Sequence, residues 1–273
     1  MLNEIAEVIA QSRHDHDCRR TAGRQAADEL VEAVRAEAAG AAGTGPDAKA
    51  VEGALRAEGS YRVLVATAGS AEGHTGAVDA LAEALNHVAP ATFIVGGAEG
   101  GEAVAIVEEK EDVLRQLGDV WPLLAQCEPT APALHAGVSA PCAAAGLGAA
   151  LGQARYALAA ARTMAPGTAR VTAVEELSTL ETLLAGVPAE VRAAHCAHTL
   201  GPLRQADSAS HAVLLETLEV FLAHNCSWAR TAEALHLHVN TVHYRNERVE
   251  GLTGRDLSRL DHKLDLRAAL LCR

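Results

Sequence analysis

The stretch WARTAEALHLHVNTVHYRNERV, Trp228 to Val249, reads as two short helices joined by a tight turn, which is the outline of a DNA-reading helix-turn-helix. Ala229, Ala232 and Leu235 recur at helical spacing, Leu237 follows, and Val242 and Val249 stand seven apart on the next helix. Two apolar stripes therefore face one small core. Ala232 suits a place where two helices cross closely, and Ser227 is placed to cap the first helix by accepting a backbone N–H. The turn is His236, Leu237 and His238.

With Val242 set inward, a rotation of about 100° per residue turns Asn240, Thr241, His243, Tyr244, Glu247 and Arg248 away from the core. Asn240 has the amide that pairs bidentately with an adenine edge. Arg245 and Arg248 suit phosphate or guanine, and the hydroxyls of Thr241 and Tyr244 suit phosphate oxygens. His243 fits either role. Periodicity alone leaves a second possibility open, a helical hairpin whose polar face is merely solvated.

A resemblance runs well past the hairpin, from LLETLEVFLAHNCSWARTAEALHLHVNTVHYRNERVEGLTGRDL (214–257) to LDLRAALL (264–271). In that order these segments resemble the C-terminal DNA-binding domain of PucR-type bacterial regulators (the purine-catabolism and sugar-diacid type), over about residues 211–273. The resemblance implies a Fis-like helix-turn-helix with His238, Asn240, Thr241, Tyr244 and Arg245 at or near DNA. Two positions depart from the family pattern. Val239 stands where a basic or polar residue is usual, and Asn246 stands at an inward position that is usually apolar, where an unpaired amide costs about 1–3 kcal/mol.

A net charge of −12 over 273 residues opposes indiscriminate nucleic-acid binding, but its distribution leaves room for a specific one. Residues 211–273 hold eight basic and eight acidic side chains, so the whole excess lies upstream, and six of the 13 histidines fall in this neutral stretch. Arg230, Arg245, Arg248 and Arg255 sit within or beside the hairpin. A neutral domain of this kind needs two copies for useful affinity, so a homodimer on double-stranded DNA is expected.

Upstream, apolar runs and helical stripes alternate: strands at 61–67, 91–96, 103–107, 135–139 and 170–174, and helices at 76–88, 111–127 and 146–162. The order is that of an α+β sandwich with helices on an antiparallel sheet, the second and third strands joined as a hairpin through GGAEGG. HAGVSAP followed by GLGAALGQARYALAAAR (146–162) resembles the GGDEF-like domain that precedes the DNA-binding domain in the same regulators. The resemblance implies a degenerate domain. The first strand ends Val65, Ala66, Thr67, Ala68 without a carboxylate, and the segment matching a GGDEF hairpin reads at best Gly100, Gly101, Glu102, Ala103, Val104, whose one carboxylate cannot hold the two Mg²⁺ ions of nucleotide chemistry. No catalytic residue is expected. The glycines of GGAEGG and GLGAALG serve turns and helix packing, since neither segment has the strand-to-helix context of a phosphate cradle.

The resulting domain order is a helical segment and linker (1–57, with helices at 3–11, 25–39 and 51–58), a GGDEF-like domain (58–176), a helical connector (177–208, helical over 176–207) and the helix-turn-helix domain (209–273). The six cysteines lack a CxxC pair and are expected to be buried thiols. His14, Asp15, His16, Asp17 and Cys18, like His195, Cys196 and His198, lack the spacing of a strong metal site, so neither metal nor cofactor is expected. With no run of 18 apolar residues and Glu4 and Glu7 in the first ten, no membrane segment or leader is expected and the cytoplasm is the expected compartment. Any effector is expected to be read by the GGDEF-like domain or by a partner, or there is none. The competing function class is a non-catalytic ligand- or protein-binding module with a vestigial helix-turn-helix.

Overall fold

The run YRVLVATA alternates its side chains between two apolar surroundings, and Tyr61–Ala68 (β1) is accordingly the middle strand of a five-stranded sheet. The computed structural model describes residues 27–36, 38, 55, 58–69, 74–89, 93–110, 112–127, 133–204 and 209–273. These fall into two compact units, Met1–Ser178 and Thr179–Arg273.

In the first unit a helix over 27–36 (α1) and β1 are followed by His74–Val88 (α2), Phe93–Gly97 (β2), Ala103–Glu108 (β3), Val113–Cys127 (α3), Leu134–Val138 (β4), Leu147–Met164 (α4) and Arg170–Ala173 (β5). The strands lie in the order β2-β3-β1-β4-β5. Gly97 pairs with Ala103 and Phe93 with Val107, so β2 and β3 form the expected hairpin. β1 runs antiparallel to β3 and β4, whereas β4 and β5 are parallel. The sheet is therefore mixed. A helical crossover through α4, not a hairpin, joins β4 to β5, and such a crossover returns the chain in the same direction.

Period two sorts the core. Leu64, Ala66, Ala105, Val107 and Ala136 pack with Leu81 and Leu85 of α2 and Leu117 and Trp121 of α3. Val63, Val65, Val104 and Ile106 pack on the opposite face with Leu30, Val31 and Val34 of α1 and Leu151, Ala154 and Leu158 of α4. Gly137 is required where α4 crosses β4, because a Cβ there would stand 2.1 Å from the Ala154 carbonyl oxygen and 2.2 Å from the Leu158 nitrogen. Arg62, buried at the start of β1, donates to Glu109, to Glu175 at 2.7 Å and to the Ser139 carbonyl at 2.7 Å. Burial opposes its charge, but the two carboxylates outweigh that and hold its proton more tightly than usual.

The second unit is helical: Leu180–Ala185 (α5), Ala189–Leu200 (α6), Ala209–Ala223 (α7), Trp228–Ala234 (α8), Val239–Thr253 (α9) and Leu260–Leu271 (α10). The helical segment expected over 176–207 holds two α-helices, separated at Gly186-Val187-Pro188, where Pro188 caps α6 in a conformation that an α-helix interior does not allow. Leu200, Leu214, Leu218, Phe221, Val249, Leu257 and Leu266 form its core. Gly254, at φ 67°, ends α9 as a left-handed cap.

Several expectations need amendment or lie elsewhere. Cys196 and Cys272 are buried thiols, whereas Cys142 and Cys226 pack against the edges of the two cores and are only half-buried. The helix expected over 3–11 and the His14–Cys18 cluster lie outside the described residues, as do most of 51–58 and Cys18 itself. His195 and His198 are exposed while Cys196 points into the core. No group of metal-ligating side chains gathers among the described residues, and among them no helix is long and apolar enough to cross a membrane.

Candidate nucleic-acid interface

Helix α8 starts where the sequence places its cap: the Ser227 hydroxyl accepts from the Arg230 backbone N–H at 3.4 Å, and the Thr231 hydroxyl donates to the Ser227 carbonyl at 2.8 Å. Ala232 is buried at the crossing with α9. The Leu237 N–H then donates to the Ala232 carbonyl at 2.8 Å, which closes the turn. His236 makes this closure with φ 53°, a left-handed backbone that costs a residue with a Cβ about 1 kcal/mol.

Helix α9 divides as its spacing predicts, with Val242 and Val249 buried and Asn240, His243, Tyr244, Glu247 and Arg248 exposed. Asn240, Tyr244, Glu247 and Arg248 follow one another at helical intervals of four, three and one, so they share a face. Tyr244 is the most exposed aromatic, at 58 %, and Arg248 donates to its hydroxyl at 3.4 Å. Thr241 is half-buried at the edge of this face.

Three of the expected contact residues also have structural work. His238 is exposed and caps α9: its Nδ1 accepts the Asn240 backbone N–H at 3.2 Å. The His243 ring stacks on Trp228 at 3.9 Å with planes 19° apart, and Trp228 in turn meets Phe221 at 4.3 Å, so this histidine ties α9 to α8. Arg245 is half-buried and donates to the Thr217 hydroxyl of α7 at 3.2 Å, while that hydroxyl donates to the Val213 carbonyl at 2.7 Å. Of the four arginines around the hairpin, Arg255 is engaged by Asp265, which leaves Arg230 and Arg248 as exposed cations.

Asn246 occupies the inward seam of α9 at 1 % exposure, and neither its Nδ2 nor its Oδ1 has a hydrogen-bond partner. The sequence marks the position; its complete lack of partners is visible only in the fold. Thr217 carried no sequence signal, since its link to Arg245 spans 28 residues.

This constellation of a capped α8, a left-handed turn and a polar-faced α9 lies inside residues 214–272, which match the sequence family described as the PucR C-terminal helix-turn-helix domain. The C-terminal unit carries a PucR-type helix-turn-helix domain. Similar proteins include an uncharacterized protein in the pkwA 5′ region of Thermomonospora curvata, 47 % identical over 33 % of this chain and 48 % of its own length. The carbohydrate diacid regulator of Escherichia coli is 35 % identical over 33 % of this chain and 23 % of that protein. The proline-responsive transcriptional activator PutR of Bacillus subtilis is 41 % identical over 22 % of this chain and 14 % of that protein. The matches thus span at most about half of these relatives.

In the first unit, the hairpin carboxylate Glu102 is held by Arg155 of α4, whose Nε and Nη2 donate to one oxygen at 3.0 and 2.9 Å. β1 contributes no carboxylate beside it.

Proposed function

We propose that this chain is a sequence-specific DNA-binding transcriptional regulator that lays α9 of its PucR-type domain in the major groove. The observation that carries the reading is the shared exposed face of Asn240, Tyr244 and Arg248 on a helix whose opposite side is packed against α7 and α8. Asn240 is suited to an adenine edge and Arg248, with Arg230 on α8, to phosphate or guanine. Two copies act together, because so few cations on one neutral domain make a weak contact alone and paired half-sites multiply it.

The first unit, in this proposal, is a degenerate GGDEF-like domain without catalysis that senses an effector or transmits a partner's state, and the regulator works in the bacterial cytoplasm. Domain limits of 58–176, 177–208 and 209–273 accompany it. A gel shift of the full chain on the DNA flanking its own coding region tests the reading: a retarded complex that Asn240→Ala and Arg248→Ala weaken supports it. A folded chain that retards no flanking or selected sequence leaves the α8–α9 hairpin as a vestige within a binding module.

A further inference from the structure

Helices α5 and α10 pack side by side and leave four large apolar side chains in water: Leu180 and Leu183 at 39 % and 47 % exposure, Leu260 and Leu264 at 68 % and 52 %. The spacings of three and four put each pair on one helix face. Together the four expose about two whole leucine surfaces, on the order of a few hundred Å² of apolar area. Glu181 stands between the leucines of α5, and Asp261, Lys263 and Arg267 flank those of α10. Asp261 is held by Arg259, whereas Glu181 and Lys263 form no ion pair among the described residues.

We propose that this α5–α10 face is the surface through which two copies of the chain associate. A two-fold axis that runs along and between the two helices brings α5 of one copy against α10 of the other, twice over. Leu180 and Leu183 then meet Leu260 and Leu264 of the second copy, and Glu181 meets Lys263. The face is complementary to itself in both respects, apolar against apolar and acid against base, which a second copy satisfies without any other partner. None of the side chains on the exposed face of α9 belongs to it, so association leaves the candidate DNA contacts free. The inference names the surface of the homodimer proposed above and rests on that reading.

Sedimentation velocity of the full chain over a micromolar concentration series tests it. The unaltered chain sediments as a dimer, and Leu260→Glu with Leu264→Glu raises the dissociation constant about a hundredfold or more while the circular dichroism is unchanged. Lys263→Glu weakens the dimer about tenfold, since symmetry counts each change twice, and adding Glu181→Lys restores it. The charge pair decides the matter if the leucine variant does not fold. A chain that stays monomeric throughout, a leucine variant that remains dimeric, or a charge swap that fails to restore association overturns the proposal. A monomer that still binds specific DNA removes this surface and keeps the regulator, whereas a dimer that Leu260→Glu dissociates but that binds no DNA keeps the surface and removes the regulator.

Discussion

Replacing Asn246 with leucine should stabilise the DNA-binding domain. The amide is 1 % exposed, both its polar atoms are unpartnered, and its neighbours on the inward face of α9, Val242 and Val249, are apolar. Leaving a buried polar group unpaired costs about 1–3 kcal/mol, and leucine has the same branching and number of heavy atoms, so little packing is lost in exchange. A net gain of about 2 kcal/mol corresponds to roughly thirtyfold slower amide exchange in a unit that opens cooperatively. Hydrogen exchange of the α7 and α9 amides in the full chain reads this domain alone, apart from the sheet unit. DNA affinity should change less than about twofold, because Asn246 lies away from the exposed face. Unchanged or faster exchange would refute the reasoning, since it would mean that the amide is hydrogen-bonded in solution, as it would be to a buried water.

His236→Gly should stabilise the same domain by about 0.5–1 kcal/mol in urea unfolding, because glycine adopts φ 53° without strain. Gly137→Ala should destabilise the first unit by about 2 kcal/mol or more, as its Cβ would collide with backbone atoms of α4 that cannot move aside. Arg245→Ala should weaken binding to all DNA sequences alike and lower the salt slope by about 1, whereas Thr217→Val should leave the slope intact; equal losses with unaltered slopes would assign Arg245 to helix docking. Asp256, hydrogen-bonded by Ser258, and Asp261, bonded by Arg259, are held below the usual carboxylate range. Their contribution is present above that range and fades as pH falls through the lowered values, so Asp256→Asn with Asp261→Asn should blunt the acid sensitivity of this domain's unfolding.

Much of this architecture was legible because it rests on local period. The strands at Tyr61 and Ala103 and the helices ending at Val88 and Cys127 announce themselves by spacing, and the Ser227 cap and inward Val242 follow from the same rule. What escaped depends on contacts distant in sequence. The parallel pairing of β4 with β5 is decided by how α4 crosses the sheet, and Gly137 looks like any strand glycine until α4 lies on it. In the site, the outward face of α9 was readable, but the stacking of His243 on Trp228 and the reach of Arg245 to Thr217 require the helices to be assembled first. The break at Pro188 is signalled locally by the proline itself, although leucines line the chain on either side of it.

The most direct test is selection of a binding site from random DNA with the full chain, followed by fluorescence anisotropy of Asn240→Ala and Arg248→Ala on the selected site across a salt series. A defined site is expected, on which Asn240→Ala loses about 1–3 kcal/mol and relaxes preference at one base pair, while Arg248→Ala weakens binding and flattens the salt dependence by about 1 for a phosphate contact. A folded double variant that binds the selected site as tightly as the parent would contradict the claim that α9 reads DNA.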